Sequence, residues 1–295
     1  MDVLTLTLNP CVDRTLWPDG RVDWQSGGKG VNVARVLANL GADCLALAPV
    51  GGAGGQTFAA LARQEGVRLE EAPIQAQTRT VDTYVSGSDY AQRVVVGRPP
   101  QMTPEEVEAL YAQAARLIPQ AKVFCVCGSA CCLEAAQAGA RLIQLANRLG
   151  VPTLLDANGP MLTLGVEAKP KLIKPNQKEL GQLLGREIAP GGEEAAAQAL
   201  LQRGIQRVLV SLGEAGAALF TQEQSLYCPA PKVQAVNPVG SGDSFVAGYL
   251  FALLRGQSDW GALAYACAAG AANAAMFPAA RVGAKEIQEI TGYVL

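Results

Sequence analysis

Val236-Asn237-Pro238-Val239-Gly240-Ser241-Gly242-Asp243-Ser244-Phe245-Val246-Ala247-Gly248 is the stretch that decides how the chain is read. Pro238 closes the extended segment before it, since its ring fixes φ and removes a backbone donor. Apolar residues at Phe245, Val246, Tyr249, Leu250, Leu253 and Leu254 recur at helical spacing, so a helix with one buried face is predicted to begin at about Asp243 or Ser244. Gly240, Ser241 and Gly242 precede its first turn, where backbone N–H groups have no internal partner; together they make an anion hole. Asp243 at the rim is either a helix cap or a base. Two glycines are poor helix material, and their presence favours close approach of a ligand to the backbone. Phosphoryl transfer from a nucleotide to a hydroxyl needs this pairing: N–H groups for the equatorial charge and a carboxylate for the hydroxyl proton. The helix field is expected to lower the basicity of Asp243, so that it accepts the proton late.

The 295 residues are 49% hydrophobic and 17% charged, enough to bury the core of one large α/β domain with a small appendage. A net charge of −2 without a basic cluster speaks against nucleic acid or an anionic membrane as partner. No apolar run reaches a membrane span and the N-terminus lacks a basic region with a cleavage site, so a cytoplasmic protein is expected. Histidine is absent, which excludes mechanisms built on Ser-His-Asp, Cys-His or a histidine metal triad. The eight cysteines read as free thiols. Cys125, Cys127, Cys131 and Cys132 cluster without zinc-ribbon spacing and are expected as small buried residues at a strand end, with a thiol metal site as the rival reading.

Val3 to Leu8 reads as a first strand, and Asp13 just past its end could hold a ligand hydroxyl, as ligands sit beyond the carboxyl ends of parallel strands. Thr15 to Trp24 suggests a hairpin around Asp19-Gly20, and Thr83 to Val85 with Arg93 to Val96 a second one across Gly87 to Tyr90. The two hairpins, near 14–25 and 80–97, would form a small β lid. Ser26-Gly27-Gly28-Lys29-Gly30 leads into an apolar-striped helix, with Lys29 either a ligand cation or a solvated turn residue; it lacks Walker spacing. Cys44 to Val50 reads as a strand, Gly51 to Gly55 as a permissive loop, and Gln56 to Glu65 as a helix. Beyond Thr103, helix 104–118, strand 122–127, helix 133–149 and strand 153–156 alternate, which implies a mostly parallel sheet covered on both faces. Lys171 to Lys174 is a short strand before Pro175-Asn176-Gln177-Lys178-Glu179. Asn176 and Glu179 share one helical face, where they form either a capping box or a seat for water and Mg²⁺. Arg207 to Ser211 and segments near 217–221 and 225–228 read as further strands, and Ala262 to Met276 as a small-residue helix.

Asn-Pro-Val-Gly-Ser-Gly-Asp-Ser before an apolar helix, with Gly-Gly-Lys-Gly, Thr78-Arg79 and Lys-Pro-Asn-x-x-Glu in this order, resembles the ribokinase-like (PfkB-type) carbohydrate kinases along essentially all 295 residues. The resemblance implies a doubly wound, mostly parallel α/β sheet with a β lid, and an ATP-dependent, Mg²⁺-using kinase. It implies Asp243 as catalytic base, with the anion hole at Gly240, Ser241 and Gly242. It places Asp13, Gly28 and Asn32 on sugar hydroxyls, Lys29 near the phosphates, Arg79 on a substrate phosphate and Ser129 at the substrate end. It places Lys174 and Asn176 near ATP phosphates, Glu179 at the metal, the nucleotide over the turn with Ser211, Gly213 and Gly216, and Asn273 by the adenine. These motifs are similar to the phosphosugar branch, 1-phosphofructokinases and tagatose-6-phosphate kinases, and the lid suggests a homodimer. A kinase of an unphosphorylated sugar or nucleoside, and an inactive sugar-phosphate-binding regulator, are the alternatives.

Overall fold

Apolar runs separated by amphipathic segments are read as buried parallel strands under helices. In the computed structural model, which describes residues 1–86 and 91–295, they form two sheets. Strand β1 (Val3–Thr7) lies inside the large sheet; β2 (Cys11–Leu16) and β3 (Val22–Gly27) leave it for the lid. Helix α1 (Lys29–Asn39) returns the chain to β4 (Cys44–Val50), α2 (Gly52–Gln64) and β5 (Arg68–Pro73), after which β6 (Arg79–Ser86) and β7 (Ala91–Val96) complete the lid. Helix and strand then alternate through α3 (Pro104–Leu117), β8 (Val123–Gly128), α4 (Leu133–Arg148), β9 (Thr153–Ala157), α5 (Gly159–Glu167) and β10 (Leu172–Ile173). The chain continues through α6 (Gln177–Leu184), α7 (Glu193–Gln202), β11 (Arg207–Ser211), β12 (Ala217–Phe220) and β13 (Ser225–Cys228), and closes with α8 (Ser241–Leu254), α9 (Asp259–Ala274) and α10 (Ala284–Thr291).

The large sheet runs β13-β12-β11-β10-β9-β8-β1-β4-β5, parallel from β11 to β5 and antiparallel at β12 and β13. Alternate residues of β1 and β8 face opposite sides. Val3, Cys125 and Cys127 join a core with α1, α8 and α9, whereas Leu4, Leu6, Phe124 and Val126 join one with α3, α4 and α5. This is the doubly wound architecture expected. Among the described residues no helix is long and apolar enough to cross a membrane.

The lid order is β3-β2-β6-β7, with β2 and β6 parallel. Arg14 and Asp82 stand opposite each other in that register, and a two-pronged pair at 2.7 and 2.6 Å joins them. The expected second turn, Gly87 to Tyr90, lies outside the described residues.

Two expectations need correction. Gly51 to Gly55 is not a loop: α2 begins at Gly52, and Gly54 lies so close to the Thr78 carbonyl that a Cβ would stand 2.4 Å from it. Helix α8 begins at Ser241, two to three residues earlier than the apolar spacing suggests. It is also buried from Asp243 to Ala252 on every side, because α1 and α9 both pack against it. Gly248 permits this, since a Cβ there would meet Ala269 Cβ at 2.8 Å.

Candidate active site

Adjacent parallel strands bring their carboxyl ends to one edge, so β10, β9, β8 and β1 deliver Lys174, Asp156, Ser129 and Asn9 side by side. Helices α1 and α8 start over the same edge and contribute Lys29, Asn32 and Asp243. Lys29 Nζ and Lys174 Nζ both reach Asp156 Oδ1, at 3.1 and 3.2 Å. Asn32 Nδ2 donates to Asp243 Oδ2 at 2.7 Å.

Gly240 caps α8 with φ 80°, a left-handed turn that glycine adopts without strain. Beyond it, the backbone N–H groups of Gly242 and Asp243 have no acceptor among the described residues. A Cβ on Gly242 would meet only Lys174 Nζ, at 3.8 Å, so the side of Gly242 away from the helix is open and has an ammonium next to it. Free donors, a helix N-terminus and a cation converge as an oxyanion requires.

Burial would drive the Asp156 carboxyl up, but Lys174 and Lys29 outweigh it and hold it below the usual range. Burial likewise opposes the charge on Lys29, yet the carboxylates of Asp156, Asp243 and Glu179 raise its pKa. Asp243 behaves oppositely to Asp156: burial pushes it up to about 6, with the Asp156 charge adding to the rise and Lys29, Asn32 and Lys174 opposing it. The expectation of a carboxylate made less basic by the helix field is therefore corrected. Desolvation of a side chain 6% exposed is the largest cause of the rise.

The other end of the edge lies under the lid. Arg79, the first residue of β6, reaches the Asn9 carbonyl with Nη2 at 3.4 Å, and Asn9 Nδ2 donates to Ser129 Oγ at 3.0 Å. Asp13 sits on β2, half-buried, accepting from Cys11 Sγ at 3.2 Å, and burial pushes its carboxyl up to about 6. Asn9 Oδ1 and Arg79 Nε are both buried with no partner. The two residues meet through the Arg79 Nη2 contact, and each keeps one buried polar atom, an acceptor and a guanidinium N–H, for a partner from outside the chain.

Other expected residues stand elsewhere or do other work. Gly28 caps α1 at the junction of lid and sheet. Asn32, expected on a sugar hydroxyl, is turned to Asp243 by one end and accepts from Arg35 Nη1 at 2.8 Å by the other. Asn273, expected by the adenine, is 1% exposed and spends all four of its hydrogen bonds within the chain. Its oxygen accepts from Ser244 Oγ and the Ala280 N–H, and its nitrogen donates to the Val239 carbonyl and Ser241 Oγ. It braces the Val239 to Ser241 turn at the start of α8. Gly216, expected at the nucleotide, has φ 105°, and a Cβ there would stand 2.0 Å from the Cys228 carbonyl; the chain's own backbone dictates that glycine. Ser211 forms an isolated parallel bridge with Asn176, placing the turn that holds Gly213 beside the start of α6.

Asn176 and Glu179 form a capping box, Asn176 Oδ1 accepting from the Glu179 N–H and Glu179 Oε2 from the Asn176 N–H, each at 2.9 Å. Glu179 Oε1 makes no hydrogen bond among the described residues, so the cap leaves one oxygen free, and the Glu179 charge is felt at Lys29. Cys125 and Cys127 are buried in β8, the Cys131 and Cys132 sulfurs lie 4.0 Å apart, and among the described residues no three Cys, His, Asp or Glu side chains gather as metal ligands.

Sequence reasoning singled out neither Asp156 nor Asn9 as a site residue. Both stood at ends of predicted strands, which was the available signal; Asn9 was absorbed by a turn with Pro10.

Residues 4–277 match the family model described as pfkB family carbohydrate kinase. The phosphofructokinase-2 of Escherichia coli, solved in complex with fructose-6-phosphate, is 28% identical with a TM-score of 0.88, over 99% of each chain. A possible 1-phosphofructokinase from Thermotoga maritima (18% identity, TM-score 0.86, 98% and 97% covered) and the Arabidopsis thaliana ribokinase complexed with ribose and ATP (21%, 0.78, 99% of each) share the fold. With its motifs, sheet order and family match in agreement, this chain belongs to the pfkB family of carbohydrate kinases.

Proposed function

We propose that the chain transfers the γ-phosphoryl group of ATP to a hydroxymethyl group of a phosphorylated ketohexose, such as fructose 1-phosphate or tagatose 6-phosphate. The observation that carries the acceptor class is the buried, unpaired Arg79 Nε, on a side chain that reaches Asn9, whose own Oδ1 is also unpaired. A neutral sugar offers the guanidinium no anionic partner. In this reading Arg79 holds the substrate phosphate, while Asp13, Ser129 and Asn9 hold hydroxyls, with Gly28 lining the entrance. The free N–H groups of Gly242 and Asp243, with Lys174 above them and Lys29 opposite, receive the phosphoryl oxygens of ATP. The rest of the nucleotide extends across Asn176 toward the turn of Ser211 and Gly213.

Asp243 is the base. Its Oδ2 is held by Asn32, so Oδ1 faces the acceptor hydroxyl and takes its proton as the oxygen attacks phosphorus. Glu179, with the oxygen left free by the cap, would help to hold a Mg²⁺ bound with ATP, which would supply charge neutralisation at the phosphates. Pairing of two copies through the lid fits the exposed Trp24, Tyr84, Val94 and Val96 and belongs to the same reading.

The test is ATP consumption by the parent protein and Arg79→Ala against fructose 1-phosphate, fructose 6-phosphate and tagatose 6-phosphate and their unphosphorylated parents. Turnover confined to phosphorylated ketoses, with R79A losing about tenfold more kcat/KM on these than on neutral sugars, is the expected result. Turnover only on neutral sugars or nucleosides removes the phosphate role of Arg79. ATP binding without turnover on any acceptor favours a regulatory protein instead.

A further inference from the structure

Arg35 lies on α1 within an apolar stripe and is fully buried, where an arginine is costly unless its donors are used. Nε donates to Glu65 Oε2 at 3.0 Å, Nη1 to Asn32 Oδ1 at 2.8 Å, and Nη2 to Ser26 Oγ at 2.9 Å and to the Ser26 carbonyl. Glu65 is fixed in turn: Oε1 accepts from the Ser26 N–H at 3.1 Å and from Arg281 Nη2 at 2.9 Å, and Oε2 accepts from Ser26 Oγ at 2.5 Å.

A guanidinium has donors and no acceptor, so it selects the oxygen of Asn32 and leaves the amide nitrogen pointing away. That nitrogen is the group that meets Asp243 Oδ2. With the amide turned over, two oxygens would face each other there. The other side of the guanidinium grips Ser26, which belongs to lid strand β3 and pairs with Val12 of β2.

We infer that Arg35 is a positioning residue: it fixes the Asn32 amide so that one oxygen of Asp243 is occupied and the other is left for the acceptor hydroxyl, and it ties this setting to the lid. The neighbouring lid residue makes a parallel connection. Gln25 Nε2 donates to the Ala279 carbonyl at 2.9 Å, the Ala280 N–H donates to Asn273 Oδ1 at 2.6 Å, and Asn273 Nδ2 donates to Ser241 Oγ at 3.1 Å. Two consecutive residues of β3 thus reach the two halves of the reacting centre, Ser26 the base and Gln25 the anion-hole loop. A lid strand in its seated position is what aligns both.

The inference rests on the kinase reading above, and a double-mutant cycle of Arg35→Lys with Asn32→Ala tests it on whichever sugar the parent protein turns over. Lysine keeps the charge opposite Glu65 but cannot hold Glu65, Ser26 and Asn32 at once. R35K alone is expected to lower kcat by about tenfold with KM for ATP within about twofold; in the N32A background the same change is expected to cost less than about twofold. Equal losses in both backgrounds would mean that Arg35 only supports the fold, and would overturn the inference. If R35K does not fold, Glu65→Gln, which loosens the guanidinium in place, enters the same cycle with the same non-additivity expected at smaller size. A parent protein with no turnover on any sugar removes the kinase reading itself, a result distinct from additive losses in an active enzyme.

Discussion

The end of β9 and the first turn of α8 each bury a carboxylate in the same site, and the two behave in opposite ways. Asp156 is inaccessible and meets two lysines, so it is held as an anion below the usual range. Asp243 is 6% exposed, contacts an amide rather than a cation, and is pushed up to about 6. Depth of burial is nearly equal; the contacting partner differs. In the kinase reading proposed above, Asp156 would be an anchor that keeps Lys29 and Lys174 in place, and Asp243 a base that stays close enough to neutrality to take a proton.

The sharpest way to break that division is to neutralise each carboxylate in turn. Asp243→Asn is expected to lower kcat by about 10³-fold or more while ATP binding, read by titration, stays within about threefold. Near-normal turnover would end its role as base. Asp156→Asn should act first on stability, because two buried or half-buried lysines lose their shared counter-ion. Denaturant unfolding at pH 7 is expected to show a loss of about 3 kcal/mol, against no loss for D243N. Equal destabilisation of the two variants would mean that the anchor and the base are not distinct.

The same contrast explains what could be read from the sequence. The order of strands and helices was legible because apolar runs and their punctuation are local, and Gly240 to Asp243 was legible because glycines before an apolar helix have few other uses. Asp156 was not, since a lone aspartate at a strand end carries no sign of the lysines that topology brings from 127 and 18 residues away. The raised pKa of Asp243 was misjudged for a related reason: the helix dipole is visible in the sequence, whereas α1 and α9 closing over α8 are not. Asn273 shows the reverse case. A motif position suggested a ligand contact, but its four hydrogen bonds within the chain depend on a segment, Val239 to Ser244 and Ala280, assembled only on folding. Strand β5 went unread because Arg68, Glu70 and Glu71 interrupt its alternation at the edge of the sheet.

A smaller effect separates Asp243 from Asp156 without any substrate, whose own phosphate would titrate near the same pH. The folded-state pKa of Asp243 is raised from 3.8 to about 6, so between those values the folded protein keeps a proton that the unfolded chain has released. Stability from this group therefore falls as pH rises through that window, whereas the depressed pKa of Asp156 makes its contribution fall as pH drops below the ordinary carboxylate range. Asparagine at 243 does not titrate. The difference in unfolding free energy between D243N and the parent protein should then grow in favour of D243N between pH 4 and pH 7, by about 2 kcal/mol, and flatten above pH 7. A difference that stays constant across this range would show that Asp243 is ionised throughout, like Asp156, and that the amide of Asn32 suffices to hold a charge that the surrounding helices were expected to expel.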